Sequence, residues 1–469
     1  MSKYYLAIDI GASSGRHILG HTEDGRIVLE EVYRFDNKQV QKNGHDCWDM
    51  DNLWNGILGG LKKCREIGKI PATIGIDTWA VDFVLLDENG AMIGDAVAYR
   101  DGRTQGADKI ADALIPAAEL YARAGIQKQI FNTIYQLLAL QKEHPEQLSE
   151  ADAMLMIPDY FGYLLTGVKK QEYTNATSTN LVNAAAKTWD MDLIRRLGLP
   201  EKLFTELSMP GTVVGNLTEE IQKEVGFDAV VILPATHDTG SAFLAVPAKD
   251  DNAVYLSSGT WSLLGVENKE PICTEASRRQ NFTNEGGAWY CFRYLKNIMG
   301  LWMIQSVRHE YGDRYSFDEI CRMAEESKDF PSLVDVQDNC FLSPDSMCES
   351  IRTWCEAHGL KVPQTLGEIA SVVYRSLAAC YAQTAKELET LNGKQYPVVQ
   401  VVGGGSQAEY LNQLTADALG KTVYAGPTEA SAIGNIIVQM WGRGGIGSLD
   451  EARQIVGASF PVKVFQPRS

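Results

Sequence analysis

Two stretches in opposite halves of the chain repeat one pattern. AIDIGASSGRHILG (7–20) and AVYLSSGTWSLLG (253–265) each read as a strand, a Ser-Ser-Gly turn and a second strand. The recurrence of one hairpin at the head of each half predicts a duplicated fold. The polar breaker PAKDDNA (247–253), just before the second copy, marks the expected boundary and places the domains at 1–246 and 247–469. A length of 469 residues allows two or three domains at ~150 residues each.

The rest of the chain alternates strands and helices. After the first hairpin, IVLEEVYRF (27–35) continues a strand meander. Residues 51–67 place Leu53, Trp54, Ile57, Leu58 and Leu61 on one helical face. TIGID (73–77) and VDFVLLD (81–87) are strand-like. NEGG (284–287) reads as a loop and YLKNIMGLWMIQ (294–305) as a helix, which makes Asn297 and Gln305 surface amides. A long helix at 369–391 is stopped by Asn392 and Gly393. Strand 396–402, the turn GGGS (403–406), helix 407–419 and strand 422–425 follow. This is α/β architecture with crossover connections.

Composition narrows the function classes. Hydrophobic content of 45% and charged content of 22% are those of a soluble globular protein. A net charge of -17 argues against nucleic acid and anionic membranes as partners, since both need basic patches. No apolar stretch approaches the ~18 residues of a membrane span, and MSKYYLAIDI runs straight into a strand without a signal segment. The nine cysteines are scattered and contain no C-x-x-C pair, and the spacing of Cys340, Cys348 and Cys355 fits neither a zinc site nor a disulfide staple. Free thiols in a reducing cytoplasm are expected. Asn175, Asn216 and Asn281 head N-x-T sequons, which mean nothing without secretion.

LPATHDTGSAFLAV (233–246) interrupts an apolar run with Thr236, His237, Asp238 and Thr239. Buried polar groups are costly unless paired. Either Asp238 or Thr239 caps the helix that follows, or the group faces a bound ligand. The turn from Asp9 to Arg16 combines small residues, the Ser13 and Ser14 hydroxyls and a guanidinium, all suited to phosphate. Asp9 would repel that phosphate unless Mg²⁺, held through its waters, intervenes. An ordinary hairpin turn is the alternative. SSGTWS (257–262), with Thr260, and GGGS (403–406) are further turns of this type; neither G-x-G-x-x-G nor a P-loop occurs. Three such loops together favour a nucleotide held between two domains. A carboxylate facing its terminal phosphate, Asp238, can then take the proton of an attacking hydroxyl. Asp77, Thr78, Trp79 and Asp82 suit a polyhydroxylated ligand, or else form an exposed strand end.

The set DIGASSGR, GIDTWAVDFVLLD, YRDGRT, MIPDYFGYLLTG, EYTNATST, HDTGSA, YLSSGTWSL, NEGG, LKNIMGLW, VVGGGSQ and AGPTEASAIGN resembles the rhamnulokinase branch of the FGGY carbohydrate kinases. The similarity runs in order from about residue 4 to about residue 460. It implies a two-domain actin-like, hexokinase-like (ribonuclease H-like) α/β ATPase fold with a duplicated core and a cleft between domains. It also implies ATP-dependent phosphorylation of L-rhamnulose at the 1-hydroxyl, with Mg²⁺, in the cytoplasm. By the same resemblance Asp238 is the catalytic base and touches the sugar, His237 and Thr239 flank it, and Asn297 contacts it. Ala12, Ser13, Ser14, Gly15, Arg16, Thr260, Gln305 and Gly404 would hold ATP. Ala80 stands where members of the family carry Gly at a sugar contact, and Ser406 where a Cys can stand. The strand-like flanks of Ala80 predict a negative φ, for which an added methyl is nearly silent. Another ketose or deoxysugar is the alternative substrate, and an actin-like ATPase of structural or sensing role the alternative class.

Overall fold

The computed structural model describes residues 3–248 and 251–468. Lys249 and Asp250, inside the expected boundary stretch, lie outside the described residues. The chain divides into two units. The first comprises Met1–Lys249, Glu267–Tyr294 and Ala430–Ser459; the second comprises Asp250–Val266, Leu295–Glu429 and Phe460–Ser469.

In the first unit, strand Tyr4–Ile10 pairs antiparallel with Ser14–Glu23, which pairs antiparallel with Arg26–Asp36. On its other edge it pairs parallel with Pro71–Thr78. That strand runs parallel to Val230–Ile232, and Val213–Asn216 closes the edge antiparallel. Nearly every residue of Tyr4–Ile10 is buried, as in a strand covered on both faces. Helix Met50–Glu66 packs on the neighbouring strands Ser14–Glu23 and Arg26–Asp36: Asp49 caps the first turn by accepting from Asn52 N at 3.1 Å, and Leu53, Ile57, Leu58 and Leu61 are buried.

The second unit repeats this order. Ala253–Ser258 pairs antiparallel with Trp261–Asn268 and parallel with Val398–Val402. Thr422–Ala425 follows in parallel, and Lys463–Phe465 closes the edge antiparallel. The same hairpin, the same two parallel crossovers and the same antiparallel edge make the core a duplicated one. Its long helix, Leu366–Asn392, starts at a Thr365–Glu368 capping box and ends at Gly393, whose φ of 64° no β-branched residue would adopt readily.

One segment departs from the sequence reading. Thr283–Gly286 is a strand rather than a loop, Phe292–Met299 is a second strand, and the helix starts only at Trp302. Leu295, Ile298 and Met299 carry helical spacing, but residues on both faces of their strand are buried. Alternation is then lost, and periodicity no longer separates strand from helix. Asn297 therefore sits on a strand.

Candidate active site

Strands Tyr4–Ile10 and Pro71–Thr78 are in register, so Asp9 and Asp77 are direct neighbours at their C-terminal ends. The chain leaving Val230–Ile232 runs alongside: Thr78 N donates to Thr236 O at 2.9 Å, and Thr78 bridges to His237. The next residue, Asp238, opens helix Asp238–Leu244. Three carboxylates thus converge where open α/β sheets bind ligands, outside the carboxyl ends of the strands.

Their surroundings differ. Asp9 is buried and its Oδ2 accepts from Arg16 Nη2 at 2.5 Å. Asp77 is fully buried; its Oδ2 accepts from Asn435 Nδ2 at 2.5 Å, while Oδ1 has no hydrogen-bond partner. Burial, then the Asp9 charge, push the Asp77 carboxyl well above the usual range. Asp238 keeps 31% of its side chain exposed. Its Oδ1 accepts from Thr239 N at 2.6 Å and Thr239 Oγ1 at 3.1 Å. Burial by the enclosing chain raises its carboxyl, and the Asp9 charge adds to that shift. Neither Asp238 nor Thr239 is the helix cap. The cap position is His237, which makes no side-chain cap bond, and Asp238 is the first helical residue.

The cluster at 77–82 is not an exposed strand end. Asp77, Thr78, Trp79 and Asp82 are all buried. Asp82 Oδ2 accepts from Trp48 Nε1 at 2.7 Å, Trp79 Nε1 at 2.9 Å and Tyr99 N at 3.1 Å, and Oδ1 accepts from Gln136 Nε2 at 3.0 Å. Its acceptor capacity is spent on the protein, so it organises the Trp48–Trp79 pair, with centroids 4.1 Å apart, rather than binding a ligand. Burial outweighs these donors and lifts its carboxyl to about 6. Ala80 is not among the residues with positive φ; the left-handed conformation falls on Val81, at 69°. That is a strained state for a β-branched residue. It is clamped from both sides: Val81 O accepts from Thr133 Oγ1 at 2.6 Å, and Val81 N donates to Ser178 Oγ at 3.2 Å. The clamp fixes the backbone on which Ala80 is presented.

At the first hairpin, Gly11 N donates to Ser14 O at 2.9 Å and Asn37 Nδ2 to Gly11 O at 2.8 Å, leaving Ser13 exposed at the tip beside Ala12. Gly15 is small for a packing reason, since a Cβ there would overlap the Phe35 ring. In the second unit, Leu301 N donates to Gly259 O at 2.9 Å and Trp302 N to Thr260 O at 3.2 Å. These bonds seat helix Trp302–Glu310, which carries Gln305, on the turn that carries Thr260. In the GGGS turn a Cβ on Gly405 would overlap Ser258, whereas Gly404 has nothing within 4 Å and is the open glycine.

Sequence reasoning left three participants without a role. Asn435 comes from helix Ala430–Gly442, and Glu285 and Arg293 come from strands Thr283–Gly286 and Phe292–Met299. Asn435 and Glu285 lie in quoted motifs, ASAIGN and NEGG, which were the available signal; Arg293 had none.

The family description "FGGY family of carbohydrate kinases, N-terminal domain" matches residues 4–245, and its C-terminal counterpart matches residues 254–443. The chain belongs to the FGGY family of carbohydrate kinases. As a carbohydrate kinase it is a phosphotransferase with an alcohol acceptor and ATP as a substrate. It is 50% identical over 465 residues to a rhamnulokinase of Oceanobacillus iheyensis, covering 99% of this chain and 98% of that protein. It is 52% identical over 460 residues to a rhamnulokinase of Halalkalibacterium halodurans, covering 98% of each. A crystal structure of ligand-bound xylulose kinase from Lactobacillus acidophilus matches with a TM-score of 0.82 at 17% identity, covering 99% of this chain and 94% of that one, a likeness of fold. Among the described residues no group of three or more His, Cys, Asp or Glu is placed to hold a metal ion, and no helix is long and apolar enough to cross a membrane.

Proposed function

We propose that this carbohydrate kinase transfers the γ-phosphoryl group of ATP to the 1-hydroxyl of L-rhamnulose, with Asp238 as general base. The observation that carries the assignment of the base is the inequality among the three carboxylates. Arg16 engages Asp9 and Asn435 engages Asp77, while Asp238 keeps a third of its side chain exposed. A base must reach the proton it takes, and Asp238 alone meets that condition. Its raised carboxyl improves it as an acceptor near neutral pH. The sugar assignment is supported by rhamnulokinases half-identical to this chain over nearly its full length.

In this reading Asp238 removes the hydroxyl proton while the oxygen attacks the γ-phosphorus and ADP leaves. His237 and Thr239, the backbone at Ala80, and Asn297 contact the sugar. Ala12, Ser13, Ser14, Gly15, Arg16, Thr260, Gln305 and Gly404 hold the nucleotide. Asp9 would hold Mg²⁺ through water. The site fits such an ion: Asp77 Oδ1 is buried without a partner, and Asp9 and Asp238 add like charge around it. Water-mediated binding by one or two carboxylates needs no cluster of three protein ligands. When bound, the ion would neutralise charge on the transferring phosphoryl group.

ADP release measured with L-rhamnulose, L-fuculose, D-xylulose and glycerol tests the proposal. L-Rhamnulose is expected to have the highest kcat/KM. A preference for another acceptor would reassign the sugar, and no release with any of them would remove the catalytic reading.

A further inference from the structure

We propose that Arg293, its buried charge balanced by Glu285, holds His237 with Nδ1 accepting and its proton on Nε2, the nitrogen that faces Asp238. The inference rests on the roles given above to Asp238 and His237. All four residues belong to the first unit.

Arg293 is fully buried, and Glu285 and His237 nearly so. Arg293 Nη2 stands 3.1 Å from His237 Nδ1 and 3.1 Å from Glu285 Oε2, while Nε donates to Gly286 O at 3.1 Å. A guanidinium offers only donors and keeps its charge inside proteins. His237 Nδ1 must therefore accept, and the single hydrogen of a neutral imidazole goes to Nε2. Nε2 lies 3.5 Å from Asp238 Oδ1. Glu285 Oε2, 3.2 Å from Nδ1, would by itself draw a proton there. Arg293 Nη2 is 3.1 Å from both atoms; its hydrogen bond goes to Nδ1, while its charge balances Glu285. A buried ion pair gains little stability over apolar packing, so its presence against His237 points to orientation.

The NEGG motif builds this arrangement. Asn284 Nδ2 donates to Gly125 O at 3.0 Å and Ile272 O at 3.1 Å, pinning the strand. Gly286 N donates to Thr177 Oγ1 at 2.9 Å, in a space where a Cβ would overlap the Tyr173 ring. Glu285 is thereby held beneath His237. The consequence is chemical. With Nε2 protonated, His237 donates towards Asp238 and the sugar, and the site keeps one base. A bare Nε2 would compete for the hydroxyl proton, and an imidazolium would pair with Asp238 and weaken it. Arg293 is the positioning residue in this scheme, and Glu285 balances its buried charge.

Nitrogen-15 spectra of the full-length protein with labelled histidine test it, with His237 assigned by the signal lost in His237→Gln. The wild type is expected to show a protonated Nε2 and a bare Nδ1. In Arg293→Met the proton should move to Nδ1, towards Glu285, or occupy both nitrogens. Glu285→Gln keeps the guanidinium and should keep the wild-type pattern. Kinetically, Arg293→Met should raise the sugar KM roughly tenfold, the scale of one disturbed hydrogen bond at a buried site, with the ATP KM unchanged. A protonated Nδ1 in the wild type overturns the proposal, and this can be read even if Arg293→Met fails to fold. An unmoved pattern in folded Arg293→Met overturns it as well. The spectra need no substrate, so failure of the sugar assignment would show separately, as absent ADP release by the wild type.

Discussion

Of the three aspartates at the strand ends, Asp9 faces Arg16, Asp77 faces Asn435 and Asp238 faces its own helix start, so each replacement should have its own phenotype. Asp238→Asn keeps shape but cannot take a proton. It should lower kcat by about 10²–10⁴ while leaving ATP affinity by calorimetry unchanged; near-full turnover would return Asp238 to a structural role. Asp9→Ala should lose activity in a way that deepens as Mg²⁺ is withdrawn and is partly restored by excess Mg²⁺. A loss independent of Mg²⁺ would remove the metal role. Asp82 makes a prediction about stability. Its folded carboxyl lies at about 6, above the ordinary 3.8, so the folded state holds that proton more tightly than the unfolded chain does. The stabilisation is then complete below pH about 4 and is withdrawn as pH rises through about 6. In urea unfolding, the stability of wild type minus that of Asp82→Asn should fall across this window by about 2–3 kcal/mol. A difference that is flat with pH would mean that Asp82 ionises normally. The sequence flagged Asp82 as chemistry-bearing but misjudged its use, because nothing near it in the chain announces Trp48 or Gln136 as donors.

Helix Ala430–Gly442 holds the site from behind. Gln439 accepts from Thr73 Oγ1 at 2.6 Å and donates to Leu6 O at 2.9 Å, and Asn435 reaches Asp77. Close approach to helix Asp238–Leu244 depends on Gly434, where a Cβ would overlap the Ser241 carbonyl oxygen. Gly434→Ala must push apart the helix that begins with Asp238. It should cost about 1–3 kcal/mol in unfolding experiments and lower kcat as well; an unaltered thermal midpoint would show that the helices separate freely. The hairpins, the helix at 50–66 and the long helix at 366–392 were legible because each carries its own period and its own stop. Strand Phe292–Met299 was not, since a strand buried on both faces loses the alternation that would identify it.

Over the molecule as a whole, all nine cysteines are free thiols. Even the exposed Cys340 has its thiol pushed up to about 12, by burial of the sulfur's surroundings and by Asp338. Thiolate is the reactive form, so the native protein should react slowly with a thiol reagent at pH 8 and yield nine thiols once unfolded. Fast labelling of Cys340 in the native state would contradict this. The duplicated core was visible in the Ser-Ser-Gly echo, but the return of residues 267–294 and 430–459 to the first unit was not. The sequence alone determined the hairpins, the helices with clear periods and the polar interruption at 236–239, because these are patterns among near neighbours. Only the tertiary structure decided which carboxylate stays open and which side chains surround His237. Those choices depend on Asn435, 358 residues from Asp77, and on Arg293, 56 residues from His237. A buried polar group is settled by whatever partner the fold brings within about 3 Å, and separation along the chain carries no record of that distance.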